Sequence, residues 1–317
     1  MKYYLAPLEG LTTYVYRNAY HRIFHPMDKY FTPFIVPHRN RGFKEKELKE
    51  ILPENNKGLY LVPQILTDDA KDFVRTAHEF KAYGYEEVNL NAGCPSGTVV
   101  PKGKGAGMLA DTYRLEKFLD EVFEKIDGKV SVKTRLGMQD AEEFGEILEV
   151  YNKFPLEELI IHARIREDYY KNKPHLEVFA EALESSRNTV CYNGDLFSGE
   201  DYEQFVQQFP SVSAVMLGRG MMSNPGLLDE ICDGKQLDKA RLRMFHDEIY
   251  EENRKRMSGD RALLFRMKEL WAFMITVFED NTKYAKRIKK AEKTKAYEMV
   301  VDELFYTQKL KAKGVRM

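Results

Sequence analysis

At 317 residues, with 43% hydrophobic, 31% charged and 12% aromatic content, the chain is sized for one large globular domain plus a small one. The N-terminal "YYLAPLEG" is broken by Pro7 and Gly10, and no window approaches the ~18 apolar residues that span a bilayer, so neither a signal peptide nor a membrane segment is expected. The net charge of −1 conceals a polarity, with 20 Lys and Arg against 13 Asp and Glu from residue 236 onward, and 29 against 37 before it. A basic end on an acidic body suits either a polyanion or a solvated helical surface.

Short apolar runs predict strands at 2–6, 29–35, 58–64, 85–90, 129–134, 157–162, 188–193 and 213–218. Amphipathic helices fit between them, among them 67–83, with Thr67-Asp68-Asp69 at its N-cap, and 112–126. Strand–helix alternation means βαβ units and a parallel sheet, and eight such strands predict a (β/α)8 TIM barrel over residues 1–235. After Pro225 the pattern changes to long helices at 239–256, 260–278 and 283–308, so residues 236–317 are read as a C-terminal all-helical domain. Its segment "KYAKRIKKAEKTK" carries seven Lys or Arg against one Glu, and a continuous helix would align Lys283, Lys286, Arg287, Lys290 and Lys293 on one side.

Pro7, Gln64, Asn91, Lys133, His162, Asn193 and Gly218 each fall at or just beyond the C-terminal end of a different predicted strand. In a barrel those ends converge on one mouth, where active sites sit. Lys133 and Arg135 alternate along "SVKTRLG", so both are expected to face that mouth, with Thr134 outward. A lysine directed inward is costly unless it meets a charge. Its partner is either the N1–C2=O edge of a flavin or a strand-end carboxylate.

The glycine-rich loop at 97–107 matches neither G-x-x-x-x-G-K-[ST] nor G-x-G-x-x-G, so its glycines are read as permitting unusual torsions and close approach. Phosphate binding is placed instead in "YNGDLFS" and "LGRGMMSNPGLL", through Gly194, Gly218, Gly220 and the Arg219 fork. Of the three cysteines, Cys191 and Cys232 are read as buried and inert, while Cys94 sits between Gly93 and Pro95 beside the expected mouth. A thiol of ordinary pKa, about 8.5, is mostly protonated at neutral pH and can serve as a general acid. Cysteines odd in number and far apart make neither a disulfide framework nor a zinc cluster, so a reducing cytoplasm is expected. His162 is either a satisfied core histidine or, given Arg164 and Arg166 after it, part of an anion site. No metal is assigned.

With these blocks assembled, the chain resembles the tRNA-dihydrouridine synthase family of flavin enzymes. The matching runs are "LAPLEGLTT", "PQI", "NLNAGCPSGTVVPKGKGAGML", "SVKTRLG", "IIHARIRE", "YNGD" and "LGRGMMSNP", in family order, followed by a basic helical tail with "FRMKELWAFM". Leu8 stands where the family commonly has methionine, "HARIRE" stands for His-Gly-Arg-Thr, and Pro33 stands where a glutamate is frequent. The resemblance implies FMN held by Pro7, Leu8, Glu9, Gln64, Lys133, His162, Asn193, Gly194, Asp195, Gly218 and Arg219. It implies Cys94 as proton donor to uracil C5, with Asn91 and Arg135 positioning the target uridine. NADPH or NADH would be the reductant and tRNA the partner, held through Lys283, Lys286, Arg287 and Lys290, with no obligatory protein partner. Two other readings are an FMN barrel oxidoreductase acting on a free pyrimidine, similar to dihydroorotate dehydrogenase, and a non-catalytic RNA-binding protein.

Overall fold

The computed structural model describes residues 1–38 and 42–311. All eight expected strands form: β1 Lys2–Leu5, β2 Lys29–Phe31, β3 Leu61–Val62 with its continuation β4 Gln64–Ile65, β5 Glu87–Ala92, β6 Lys129–Arg135, β7 Leu159–His162, β8 Val190–Asn193 and β9 Ala214–Leu217. Every pairing is parallel, in the order β3-β2-β1-β9-β8-β7-β6-β5-β4. β3 and β4 are two halves of one strand divided at Pro63, which has no N–H to offer the ladder. Because β3 pairs with β2 and β4 with β5, this divided strand joins the two ends of the sheet into a TIM-barrel-like ring. The second strand is shorter than the expected 29–35, since Pro33 ends its ladder, and a single bridge, Ile35 to Ile65, follows.

Two compact units divide the chain. The first comprises Met1–Pro7, Asp28–Gly194 and Phe209–Met216. Its interior is a packed layer of Tyr4, Ala6, Phe31, Val62, Ile160, Cys191, Ala214 and Met216, and burial pushes the Cys191 thiol well up, as an inert core cysteine requires. The helix expected at 67–83 spans Ala70–Ala82, with the Asp69 carboxylate accepting from the Asp72 N–H (3.0 Å). That expected at 112–126 spans Thr112–Lys125, capped likewise by Asp111.

The second unit comprises Leu8–Met27, Asp195–Gln208 and the chain from Leu217 onward. Helices Lys239–Arg256 and Asp260–Met274 match their expectation, but the expected helix 283–308 is two, Thr282–Lys290 and Thr294–Thr307. Thr294 opens the second of them with its N–H and hydroxyl on the Asp260 carboxylate (3.4 and 3.3 Å), a tertiary cap that periodicity does not reveal. Lys293 lies in the extended break and leaves the basic stripe. Cys232 is exposed rather than buried, because helix Leu227–Asp233 turns Leu227 and Leu228 inward instead. Among the described residues no helix is long and apolar enough to cross a membrane.

At the N-terminal ends of the strands the barrel is plugged by charge. The Lys29 ammonium reaches Glu87 (2.9 Å) and Glu158 (2.7 Å), Tyr4 donates to Glu158, and the Tyr60 hydroxyl to Glu87 (3.1 Å). Burial alone would lower the Lys29 pKa, but the two carboxylates outweigh it and hold it above the ordinary lysine value. Its contribution is therefore complete at neutral pH and is lost only as pH rises through that raised value. Lys29→Met strands two buried carboxylates, so we expect a loss of about 3–5 kcal/mol at pH 7, read from the urea midpoint, with partial recovery when Glu87→Gln is added. A midpoint unchanged by Lys29→Met would refute the plug.

Candidate active site

At the opposite, C-terminal ends of the strands, side chains of the first unit form a continuous buried relay. The Asn91 Oδ1 accepts from the main-chain N–H groups of Gly93 (3.1 Å) and Cys94 (2.9 Å). Those groups can only donate, which places the Asn91 amide nitrogen toward Gln64 Oε1 (2.7 Å). Gln64 Nε2 then donates to Asn89 Oδ1 (2.8 Å), and Asn89 Nδ2 to Ser131 Oγ (3.0 Å). The parallel register that pairs Gln64 with Asn89 and Asn91 with Lys133 brings these groups level. Each amide nitrogen of Gln64 and Asn91 makes one of its two possible donations within the relay.

Cys94 is half-buried and carries no disulfide. Its loop is shaped by glycines at the two positions where backbone comes closest. Gly105 has φ +57°, and a Cβ there would lie 2.7 Å from the Cys94 carbonyl oxygen and 2.9 Å from the Cys94 Cβ. A Cβ on Gly107 would lie 2.4 Å from the Val100 carbonyl oxygen. The Ala106 N–H closes the loop onto the Cys94 carbonyl (3.0 Å). Lys104 is directed to Asp68 (3.5 Å).

Lys133 and Arg135 share one face of β6, while Thr134 turns outward and accepts from the Tyr151 hydroxyl (3.2 Å). The Lys133 ammonium donates to Asn193 Oδ1 (2.7 Å), and Asn193 in turn donates to the Met216 carbonyl (2.8 Å). Among the described residues no carboxylate pairs with Lys133. Burial, helped by the Arg135 charge, pushes its pKa down to about 7. A desolvated ammonium with a single neutral partner and two remaining donors fits an electron-rich, acceptor-bearing ligand such as the flavin edge.

Arg135 is fully buried and reaches three main-chain carbonyls: Gly93 (3.0 Å), Ile165 (2.8 Å) and Tyr169 (2.9 Å). It thereby ties the cysteine loop to the loop that follows β7. In that second loop the buried Asp168 carboxylate accepts from the Ile165 N–H (3.0 Å) and from Asn172, and pairs with His175 (3.0 Å). His162, at the end of β7, lies 3.1 Å from an Arg164 guanidinium nitrogen through its Nε2. A guanidinium only donates, so Nε2 accepts and Nδ1 carries the proton. The Tyr170 ring stands 5.8 Å from the His162 ring and 5.4 Å from the Arg135 guanidinium. Tyr169 has φ +50°, the one positive value among described non-glycine residues, a conformation that costs on the order of 1–3 kcal/mol.

In the second unit, Leu8, Glu9 and Gly10 form a tight turn in which the Leu8 carbonyl accepts from the Leu11 and Thr12 N–H groups and the Leu8 N–H donates to Thr12 Oγ1 (2.8 Å). The Arg219 guanidinium is paired with Asp195 and lies 5.4 Å from the Phe197 ring centroid. Gly218 caps the short helix Arg219–Ser223, and a Cβ on Gly220 would lie 2.1 Å from the Leu196 carbonyl oxygen. Of the basic side chains on helix Thr282–Lys290, Arg287 and Lys283 reach Glu303 (2.6 and 3.7 Å), whereas Lys286 and Lys290 are exposed. His25, Asp229 and Asp233 offer ligand atoms within 4.8 Å of one another, but Asp229 is ion-paired with Arg241 (3.3 Å) and Asp233 with Lys235 (3.1 Å).

Asn89, Ser131, Asp168 and Tyr170 belong to this architecture and escaped the sequence reading, whereas Arg164, read there as part of an anion site, reaches His162 and the Asn172 carbonyl (2.7 Å). The alternation in "VNLNAG" puts Asn89 on the same strand face as Asn91, so that residue was legible. The others depend on a long irregular loop or on cross-strand register.

Residues 4–311 match the protein family described as Dihydrouridine synthase (Dus). Among curated relatives, the "Probable tRNA-dihydrouridine synthase" of Staphylococcus aureus (strain COL) is 27% identical, covering 78% of each chain. The "tRNA-dihydrouridine(16) synthase" of Aquipseudomonas alcaligenes is 26% identical, covering 87% of this chain and 90% of that protein. Among solved structures, a variant of NCR from Zymomonas mobilis superposes with a TM-score of 0.54 at 15% identity, over 77% of this chain and 90% of the other. Histamine dehydrogenase from Rhizobium sp. 4-9 gives 0.59 at 11% identity, over 88% of this chain and 51% of the longer partner. At such identities these likenesses speak to the barrel fold alone.

The close contacts of Gly105 generate a direct test. Gly105→Ala must push the Cys94 main chain aside, so we expect a loss of about 1–3 kcal/mol in stability and an altered rate of Cys94 alkylation by iodoacetamide. Identical melting and alkylation in wild type and variant would show that the glycine does not set the position of Cys94.

Proposed function

The chain belongs to the dihydrouridine synthase family, and on that premise we propose how its own residues carry out the flavin-dependent reduction of uridine in tRNA to dihydrouridine. The observation that carries the reading is Cys94 held through its own N–H at the end of a buried amide relay. The family match extends through the helical tail to residue 311, which favours a tRNA substrate over a free pyrimidine.

Saturating the uracil 5,6 bond needs a hydride at C6 and a proton at C5. When bound, FMN, recharged by NADPH or NADH, supplies the hydride. We assign the proton to the Cys94 thiol, whose position is set from two sides by Asn91 Oδ1 and by Arg135 on the Gly93 carbonyl. Pro7, Leu8, Glu9, Gln64, Lys133 and His162 are the proposed contacts of the flavin ring. Lys133 supplies donors to its electron-rich edge, and Gln64 supplies its remaining N–H. Asn193 keeps Lys133 directed, and with Gly194, Asp195, Gly218 and Arg219 is the proposed ribityl and phosphate set, Asp195 orienting the Arg219 fork. The remaining N–H of Asn91 is available to a uracil carbonyl. Arg135, engaged by three carbonyls, acts on the uridine through the loops it holds.

A uridine stacked in folded tRNA cannot reach a barrel mouth, so the base must be extruded while its phosphates are held. The proposed phosphate contacts are Lys286 and Lys290, with Lys283 and Arg287 shared between Glu303 and RNA. We propose residues 236–317 as the tRNA-binding domain and the cytoplasm as its location.

Cys94→Ala is expected to retain FMN and to lower dihydrouridine formation by roughly 10²–10⁴-fold. Turnover on tRNA equal to wild type would refute the acid role. An electron-rich ligand stabilises the charged form of Lys133, so FMN binding at pH 8 should draw up to one proton from solution. Titration calorimetry in two buffers of different ionisation heat measures this uptake. It should vanish in Lys133→Met, and binding without proton uptake by wild type would contradict the assignment.

A further inference from the structure

We propose that Tyr169 is a stacking platform for an unpaired base of the RNA next to the target uridine, with Arg166 as its cationic flank. The proposal rests on the tRNA-reducing function and adds a substrate contact to it.

Three observations converge on this residue. The first is the backbone: at φ +50° a glycine would be unstrained, whereas a tyrosine is disfavoured. The duty that fixes this backbone is carbonyl-based, since the Tyr169 oxygen accepts from the buried Arg135 (2.9 Å). A glycine carbonyl would serve as well, so this duty leaves the ring unexplained. The second is exposure: Tyr169 is 39% exposed as a residue, so core packing does not account for it. The third is company: the Arg166 guanidinium lies 5.5 Å from the ring centroid, and Lys171 and Lys173 on the same loop are exposed. Glu167 is the one exposed acid in this run, so the loop is net basic.

An open aromatic face with an arginine over it and lysines beside it is the chemistry that binds single-stranded nucleic acid, through base stacking and phosphate attraction. The loop departs directly from His162, and Arg135 ties it to the loop that carries Cys94. A base stacked on Tyr169 would therefore be held on a segment rigidly connected to the chemistry. The Tyr170 ring lies near His162 (5.8 Å) and the Arg135 guanidinium (5.4 Å). Both tyrosines are exposed, at 39% and 45%, but they keep different company, Tyr169 with Arg166 and Tyr170 with His162 and Arg135.

The test uses the full-length holoenzyme and unmodified tRNA, with kcat and KM for dihydrouridine formation measured separately. Tyr169→Gly removes the ring and suits the backbone, so flavin content and melting midpoint should match or exceed wild type. KM for tRNA should rise about 10-fold or more, with kcat changed less than about 2-fold. Tyr169→Trp should restore KM, because it returns an aromatic face, and Tyr169→Leu should not. Arg166→Met should raise KM less, and the increase should shrink at higher salt. An unchanged KM in Tyr169→Gly, or a leucine that serves as well as tryptophan, overturns the platform while leaving the enzyme's function intact. Wild-type protein that forms no dihydrouridine on tRNA would instead overturn the functional reading, and the platform with it.

Discussion

The rest of the site depends on the requirement that a buried amide must be paired. From Ser131 through Asn89, Gln64 and Asn91 to the main chain of Cys94, each side chain inside the mouth of the barrel takes its orientation from the next. The direction is set at one end, where two main-chain N–H groups can only donate. Removing any member leaves a buried neighbour without a partner, at about 1–3 kcal/mol, so the relay resists local rearrangement. A thiol on a loop would ordinarily be mobile. Here it inherits the rigidity of three strands.

Arg135 applies the same logic to main chain. Its buried guanidinium is satisfied by carbonyl oxygens from the loops after β5 and β7. Two irregular segments are thus tied to one side chain. The glycines at 105 and 107 allow the returning chain to close on Cys94 and Val100 at distances no side chain would tolerate. Loop, arginine and relay are three solutions to one problem, the fixing of the Cys94 main chain at the C-terminal ends of the strands.

The barrel separates stability from chemistry along its axis. At the N-terminal ends of the strands, Lys29, Glu87, Glu158, Tyr4 and Tyr60 pair fully with one another and leave little to offer a ligand. At the C-terminal ends, Lys133 is left with a neutral partner and a pKa pushed down to about 7. A cation satisfied by carboxylates is structural; one desolvated beside an amide is poised for a substrate or cofactor.

The sequence by itself determined the strand count, the parallel barrel, and the placement of Gln64, Asn91, Lys133, His162 and Asn193 at strand ends, because short apolar runs and strand–helix alternation are local signals. It also carried the ordered motifs that mark the family. Only the tertiary structure decided what those residues hold. Asn91 looked like a substrate contact and is first the anchor of the Cys94 main chain; Arg135 looked like a mouth residue and is a buried clamp. The continuous basic helix at 283–308 became two, because Asp260, distant in sequence, caps Thr294. Cross-strand register, loop closure and long-range capping join residues tens of positions apart, and no local pattern encodes which partner a side chain will meet.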